Sequence, residues 1–205
     1  IDDRIEELAK AGAAIGRKSA EKHEASDGRM RWVLGSMGPG TKLPSLGHTT
    51  YQHLKDTFAL QATGLIQGGA DAFMIETSQD LLQTKAAING CKVAMAEAGT
   101  RLPIFVEVTV ETTGTMLMGS EINAALTALE PLGIDMIGLN CATGPQEMSE
   151  HLRQLSQHSE IPVMVMPNAG LPVLTADGAS YPLGPEELAT AHEQFVKEFG
   201  LSMVG

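Results

Sequence analysis

Short apolar segments alternate with helical segments along the whole chain, and this alternation restricts the chain to a few folds. The apolar segments cover 31–35, 71–76, 103–110, 134–139, 162–166 and 201–204. Helices are predicted over 2–25, 51–67, 80–98, 120–132, 145–157 and from Pro185 onward. Short buried strands separated by helices are typical of a parallel sheet that is covered on both faces. The predicted fold class is therefore α/β.

Two architectures fit this pattern, an open doubly wound sheet and a TIM-type (β/α)8 barrel. A doubly wound sheet that binds a dinucleotide has a glycine fingerprint leading directly into a helix. The glycine cluster Gly35-Ser-Met-Gly38-Pro-Gly40 is followed by polar, irregular residues, so it makes a poor phosphate cradle. A barrel needs eight strands and roughly 250 residues. With six predicted strands, we interpret residues 1–205 as a single, partial barrel domain that lacks its first two strands and its C-terminal tail.

Composition argues against several classes of partner. The formal net charge is −11, from 14 basic and 25 acidic residues. Such a surface repels phosphate backbones and anionic lipids, so we expect neither nucleic acid nor membranes as partners. No apolar run approaches the roughly 20 residues of a membrane span. Two distant cysteines do not make a disulfide framework, which favours a reducing cytoplasm.

Polar residues at the ends of the predicted strands are the candidates for chemistry, because barrel enzymes carry their working residues there. They are Ser36, Glu76, Thr77, Ser78, Glu107, Thr109, Glu111, Asn140, Cys141 and Asn168. Glu76 could equally be a helix cap or a loop anchor, and Asn168 could be a turn former before Gly170.

Cys141 follows an apolar strand and precedes Ala-Thr-Gly-Pro, so its sulfur is expected at the barrel mouth. From position alone, this thiol could be a nucleophile, a metal ligand or a buried, inert side chain. Cys91 lies within a helix on an apolar face, and we predict that it belongs to the core. None of the histidines has metal-ligand spacing to another His or Cys, and we interpret all of them as solvated. They are His23, His48, His53, His151, His158 and His192.

Four strand-end segments resemble motifs of the homocysteine S-methyltransferase family. They are Gly35-Ser-Met-Gly-Pro39, Phe73-Met-Ile-Glu-Thr77 with Asp80-Leu-Leu82, Gly138-Leu-Asn-Cys-Ala-Thr-Gly-Pro145, and Pro167-Asn-Ala-Gly-Leu-Pro172. The resemblance runs in order along essentially the whole chain. Within the family it is strongest to the homocysteine-binding module of cobalamin-dependent methionine synthases of the actinobacterial type.

The resemblance implies a zinc-dependent transfer of a methyl group to the thiol of homocysteine. A free thiol is mostly protonated at neutral pH, and coordination to Zn²⁺ removes that proton. By this resemblance Cys141 is a zinc ligand, and Glu76, Asn140 and Asn168 bind the amino acid end of the substrate. The donor implied is methylcobalamin on a separate domain. The implied partners are homocysteine and the cobalamin-binding and methyltetrahydrofolate-binding domains of the same parent chain.

The sequence departs from the family pattern at its two remaining zinc cysteines, which form an adjacent pair in a Gly-Gly-Cys-Cys motif after the last strand. That motif is absent from these 205 residues. Since a zinc site needs about three protein ligands, we expect this chain alone to bind zinc poorly and to be inactive. Two alternatives remain open. One is a free-standing methyltransferase that uses betaine or S-methylmethionine, and the other is a catalytically dead barrel that serves as an interaction module.

Overall fold

The computed structural model describes residues 2–175 and 178–205. The helices are α1 (Ile5–Asp27), α2 (Tyr51–Gln67), α3 (Leu81–Ala98), α4 (Ile122–Leu129), α5 (Pro145–His158) and α6 (Pro185–Phe199). The strands are β1 (Leu34–Met37), β2 (Ala72–Ser78), β3 (Ile104–Val108), β4 (Met136–Asn140), β5 (Val163–Met166), β6 (Val173–Thr175), β7 (Gly178–Ser180) and β8 (Met203–Val204). Short 3-10 helices cover Asp2–Arg4, Pro44–Leu46 and Glu130–Leu132.

The strand order distinguishes between the two predicted architectures. The main sheet has six strands in the order β1-β2-β3-β4-β5-β8. Its strands are therefore arranged in the order in which they occur in the chain, and the β6–β7 hairpin lies in the connection from β5 to β8. The pairs β1–β2, β4–β5 and β5–β8 are parallel. A doubly wound sheet would reverse its strand order at a switch point, whereas a barrel adds strands in sequence. The described strands therefore follow the order of an incomplete barrel.

The described chain falls into two compact units. Unit 1 comprises residues 1–76 and 82–105, and unit 2 comprises residues 77–81 and 106–205. In unit 1, α2 begins as predicted, because the Thr50 side chain accepts a hydrogen bond from the His53 N–H at 3.1 Å. Its apolar stripe is buried, with Leu54, Phe58 and Ala62 all at 9% exposure or less.

Helix α1 buries a different face from the one that its larger apolar residues indicate. Leu8 is 45% exposed and Ile15 is 72% exposed, whereas Ala13 and Ala20 are buried. The reason is a close approach of α1 to α2. A Cβ atom at Gly64 of α2 would overlap the Glu6 carbonyl oxygen of α1. At such a distance only small side chains fit between the two helices.

Strand β1 begins three residues later than the apolar pattern predicts. Arg31 is tied to the end of α1, where its backbone N–H donates to Glu24 Oε1 at 2.5 Å and its guanidinium forms an ion pair with Asp27. Arg17 likewise forms an ion pair with Asp71. Asp71 Oδ2 also accepts the Val33 N–H at 2.6 Å, so the chain enters the sheet only after Val33.

Unit 2 contains the paired strands β4, β5 and β8, and most apolar side chains of β4 and β5 are buried in its core. Ile137, Leu139 and Val165 have no exposed surface. The loop predicted between β5 and α6 contains an antiparallel hairpin, β6–β7, which the sequence pattern missed. The sequence pattern of α6 predicts Phe195, Val196 and Phe199 on its buried face. Phe195 is buried, but Val196 is 43% exposed, so the prediction is wrong for Val196.

A search of residues 2–175 and 178–205 finds no helix with the length and hydropathy that crossing a membrane requires.

The contact between α1 and α2 yields a stability prediction. Gly64→Ala places a methyl group against the α1 backbone, so we expect the free energy of unfolding to fall by about 1–3 kcal/mol. The matched control is Gly12→Ala on α1, where no heavy atom lies within 4 Å of the added Cβ. That control should be neutral or stabilising by up to about 1 kcal/mol, since alanine favours helix. Urea denaturation of both variants measures the difference, and equal stabilities would contradict this account of the contact.

Candidate functional site

The end of β4 carries the candidate thiol. Asn140 is the last residue of β4 and lies opposite Met166 of β5 in the parallel register. The pairing extends one residue further, because the Cys141 N–H donates to the Met166 carbonyl oxygen at 3.2 Å. Asn140 is only 3% exposed, whereas Cys141 is half-buried. The thiol therefore sits where the strand ends and solvent begins.

The backbone is unusual at this strand end and at the end of β2. Among the described residues, three that are not glycine have positive φ: Thr77 at 56°, Cys141 at 59° and Ala142 at 57°. The left-handed region costs an L-residue roughly 1–2 kcal/mol, and for a β-branched threonine it is rare. Strained residues of this kind cluster at functional sites, where the surrounding contacts hold them in place.

Two hydrogen bonds join Thr77 to Asn140. The Thr77 backbone N–H donates to Asn140 Oδ1 at 2.9 Å, and Asn140 Nδ2 donates to Thr77 Oγ1 at 2.9 Å. The carboxamide therefore binds both the main chain and the side chain of one residue. Because a buried amide without partners would be costly, this pairing offsets part of the backbone strain at Thr77.

The Cys141 sulfur lies next to both members of this pair. Its Sγ atom is 3.5 Å from Asn140 Nδ2 and 3.6 Å from Thr77 Oγ1. Since the Thr77 oxygen already accepts from Asn140, its hydroxyl hydrogen remains available to donate to the sulfur. The sulfur thus lies beside one amide donor and one hydroxyl that can donate or accept.

Thr109, just beyond β3, supports Asn140 from the other side. Its hydroxyl donates to the Asn140 carbonyl oxygen at 3.1 Å and lies 3.4 Å from Asn140 Oδ1. Its backbone N–H donates to the Ser78 carbonyl oxygen at 3.0 Å. Sequence reasoning placed Thr77 and Thr109 at strand ends but assigned them no role. Threonine is an ordinary strand residue, so its identity alone carries no signal of this arrangement.

The segment after β5 lies against the segment after β4. The Asn168 N–H donates to the Thr143 carbonyl oxygen at 3.0 Å, and the Asn168 carbonyl oxygen accepts from the Gly170 N–H at 2.8 Å. The approach is close enough to require glycine at position 144, since a Cβ there would lie 2.9 Å from the Gly170 Cα. Within the described part of the chain, the Asn168 carboxamide makes no hydrogen bond and is half-buried.

Glu76 belongs to unit 1, where its carboxylate has a different neighbour. Ser36 Oγ donates to Glu76 Oε1 at 2.5 Å, and Ser36 is exposed while Glu76 is half-buried. Of the sequence-predicted site residues, the structure brings Asn140, Cys141 and the backbone of Asn168 together in unit 2. In unit 1 it joins Glu76 to Ser36.

The second cysteine lies in a very different environment. Cys91 is fully buried, and its Sγ is 3.5 Å from Met37 Sδ. Burial raises the pKa of the Cys91 thiol to about 12. This confirms the predicted core role of Cys91 and leaves Cys141 as the chemically accessible thiol.

Two of the histidines are less solvated than the sequence indicated. His151 and His192 are half-buried, and burial lowers the pKa of both imidazoles. Their interpretation as solvated side chains was therefore wrong. His23, His48, His53 and His158 are exposed, as expected.

The described residues do not form a metal site by themselves. No group of three His, Cys, Asp or Glu side chains within residues 2–175 and 178–205 is arranged to hold a metal ion. Cys141 has hydrogen-bond donors beside it, not other anionic ligands.

The contrast between the two thiols predicts selective labelling. Iodoacetamide at pH 8 should alkylate Cys141 in the folded protein and spare Cys91, because Cys91 is buried and its pKa is about 12. Peptide mass spectrometry measures the two sites separately, and labelling in urea provides the control in which both react. Comparable labelling of Cys91 in the folded state would contradict its core position.

The buried hydroxyl of Thr109 gives a second prediction. Thr109→Val keeps the shape of the side chain but removes the hydrogen bond to Asn140, so we expect a loss of about 1–2 kcal/mol of unfolding free energy. Thr127→Val is the matched control, since the Thr127 hydroxyl bonds only the Asn123 carbonyl oxygen on the exposed face of α4. The control should change stability by less than about 0.5 kcal/mol. Equal effects in urea denaturation would rule out a special contribution from Thr109.

Comparisons with known proteins show the family of this chain. The family model described as homocysteine S-methyltransferase matches residues 1–205. Methionine synthase of Mycobacterium tuberculosis (strain ATCC 25618 / H37Rv) is 64% identical over 205 residues, covering 100% of this chain. Methionine synthase of Mycobacterium leprae (strain TN) is 62% identical over the same length. The chain spans only 17% of the length of each of these relatives.

Solved structures support the fold. The crystal structure of the homocysteine methyltransferase MmuM from Escherichia coli in its apo form matches with a TM-score of 0.77 and 17% identity, over 100% of this chain and 70% of that one. Its metallated form matches with a TM-score of 0.72 and 18% identity, over 98% of this chain and 65% of that one. At this identity the match shows the fold alone, an incomplete TIM-type barrel. By the family model that matches it from end to end, the chain belongs to the homocysteine S-methyltransferase family.

Proposed function

We propose that this chain is part of the homocysteine-binding module of a methionine synthase and takes part in transferring a methyl group to the thiol of homocysteine. The observation that carries the proposal is the half-buried Cys141 thiol, held at a strand end between Thr77 and Asn140. Membership of the homocysteine S-methyltransferase family supports it. The identity to two mycobacterial methionine synthases supports the choice of module.

The amino acid end of homocysteine carries an ammonium group and a carboxylate, which require opposite partners. In this proposal the Glu76 carboxylate accepts hydrogen bonds from the ammonium group, and the Asn168 carboxamide donates to the substrate. The exposure of both side chains favours these roles. Asn140 is nearly inaccessible, and it shapes the pocket by supporting the backbone and sulfur of Cys141.

We further propose that Cys141 is one ligand of a zinc ion whose other ligands lie outside these 205 residues. The length of the relatives, of which the chain spans only 17%, leaves ample sequence to provide them. Bound zinc would favour the thiolate form of the substrate sulfur, since a thiol that coordinates zinc loses its proton. In this proposal Cys141 provides one sulfur ligand, and Asn140 and Thr77 hold that sulfur in position.

The methyl donor in this proposal is methylcobalamin on a separate domain. The partners are the cobalamin-binding and methyltetrahydrofolate-binding domains of the same parent chain. The much greater length of the named relatives favours this arrangement over a free-standing enzyme that uses betaine or S-methylmethionine.

We propose that residues 1–205 belong to one partial barrel domain, which the family match from end to end supports. Both cysteines are free thiols, consistent with a reducing cytoplasm.

The test measures zinc content and homocysteine binding in the full-length parent protein. Cys141→Ser should abolish most of the zinc content and weaken homocysteine binding by at least roughly tenfold, because the site loses one of about three protein ligands. Cys91→Ala is the matched control and should retain both properties, because the Cys91 thiol is buried against Met37.

Two results would overturn the proposal. If the Cys141→Ser protein keeps wild-type zinc content and homocysteine affinity, Cys141 is not a ligand. If the wild-type parent binds neither zinc nor homocysteine although it folds, the dead-barrel alternative replaces the enzyme.

A further inference from the structure

We propose that Thr77 is a positioning residue for the homocysteine site, and that its hydroxyl fixes Asn140 and Cys141 relative to each other. This inference rests on the function proposed above and adds a residue to which neither family membership nor the strand-end pattern assigns a role. We do not propose Thr77 as a catalytic residue, because its role does not require contact with the substrate.

The backbone conformation of Thr77 is costly. A β-branched residue at a φ of 56° is disfavoured both by its backbone and by the crowding of its side chain. Glycine or asparagine would adopt the same conformation with less strain. Contacts must therefore hold the threonine in this conformation. Its hydroxyl makes contacts that a glycine could not make.

The Thr77 hydroxyl contacts two groups of the candidate site. Thr77 Oγ1 accepts from Asn140 Nδ2 at 2.9 Å and lies 3.6 Å from Cys141 Sγ. One oxygen atom thus contacts both the carboxamide and the sulfur. Removing it leaves Asn140 Nδ2 with the sulfur as its remaining partner, 3.5 Å away.

The main chain of Thr77 also binds Asn140. The Thr77 N–H donates to Asn140 Oδ1 at 2.9 Å, and the left-handed backbone directs this N–H and the side chain toward the same carboxamide. Asn140 cannot rotate about its side chain without breaking both bonds. Because Cys141 follows Asn140 directly and is itself at a φ of 59°, its sulfur is held between the same two groups.

The alternative is that Thr77 only stabilises the fold. The two possibilities separate because the backbone bond to Asn140 survives any substitution at position 77 except proline, whereas the hydroxyl contacts depend on the side chain. Variants that differ in the hydroxyl but not in the backbone bond therefore test the positioning role directly. Affinity for homocysteine is the readout, and stability is measured in parallel.

The experiment compares four variants of the full-length parent protein by isothermal titration with homocysteine and by urea denaturation. Thr77→Val keeps the branched shape without the hydroxyl, Thr77→Ser keeps the hydroxyl without the branch, and Thr77→Gly relieves the backbone strain without either. Thr127→Val is the control, an exposed threonine in the same unit. The glycine variant guards against failure to fold, because glycine adopts this φ freely.

We expect the valine and glycine variants to bind homocysteine roughly tenfold more weakly, because Asn140 and the Cys141 sulfur are no longer fixed and binding must order them. The serine variant and the Thr127 control should bind within about twofold of the wild type. The glycine variant loses the same hydrogen bond as the valine variant but also loses the left-handed strain, so its unfolding free energy should fall by less than that of the valine variant. Equal losses of affinity with unequal losses of stability would separate positioning from stability.

Three results would contradict the inference, and they are distinguishable. If all Thr77 variants bind like the wild type, the positioning role is wrong while the proposed function stands. If the serine variant binds as weakly as the valine variant, the hydroxyl is not the group responsible. If the wild type itself does not bind homocysteine, the proposed function fails and this inference fails with it.

Discussion

The parallel pairing of β4 with β5 is the constraint on which the candidate site depends. Parallel strands end on the same edge of a sheet, and the register that places Asn140 opposite Met166 brings the two following turns into contact. The Cys141 turn and the Asn168 turn are then joined by a backbone hydrogen bond from Asn168 to Thr143. A slip of one residue in this register would move Asn140 to the other face of the strand. The position of the thiol is thus fixed by the sheet, before any side-chain contact is considered.

The strain at the strand ends is offset locally. Three residues in the left-handed region together cost a few kcal/mol, at roughly 1–2 kcal/mol each. The offsetting contacts are hydrogen bonds that join the strained backbone to Asn140, a carboxamide that needs partners because it is buried. From just beyond β3, the Thr109 hydroxyl donates to the backbone carbonyl oxygen of Asn140. Thr77, Asn140 and Thr109 provide hydrogen-bond partners to one another. Their polar groups therefore need no water, and Asn140 can be almost fully buried.

Much of the fold was predictable from the sequence, because buried strands and capped helices leave strong patterns. The order of the sheet strands, the start of α2 after Thr50 and the core position of Cys91 all followed from apolar runs, caps and periodicity. The exposed face of α1 was not predictable, because it depends on a glycine of α2 fifty-eight positions after Glu6 in sequence. The β6–β7 hairpin was missed for a related reason. Its strands have three residues each and little buried surface, too few to show an alternating pattern.

The candidate site was predictable only in part, since sequence patterns report which residues end a strand but not how their backbones turn. Cys141, Asn140 and Asn168 were found by position and by family motif, whereas the role of Thr77 depends on a left-handed φ that no local pattern signals. The two cysteines make the same point. Both lie within three residues of an apolar residue in the sequence, yet Cys91 packs against Met37, whereas Cys141 lies beside the Asn140 carboxamide and the Thr77 hydroxyl. The difference comes from tertiary contacts. Because the contacts around Cys141 lie between residues of one compact unit, the strand ends of that unit set the geometry of the thiol.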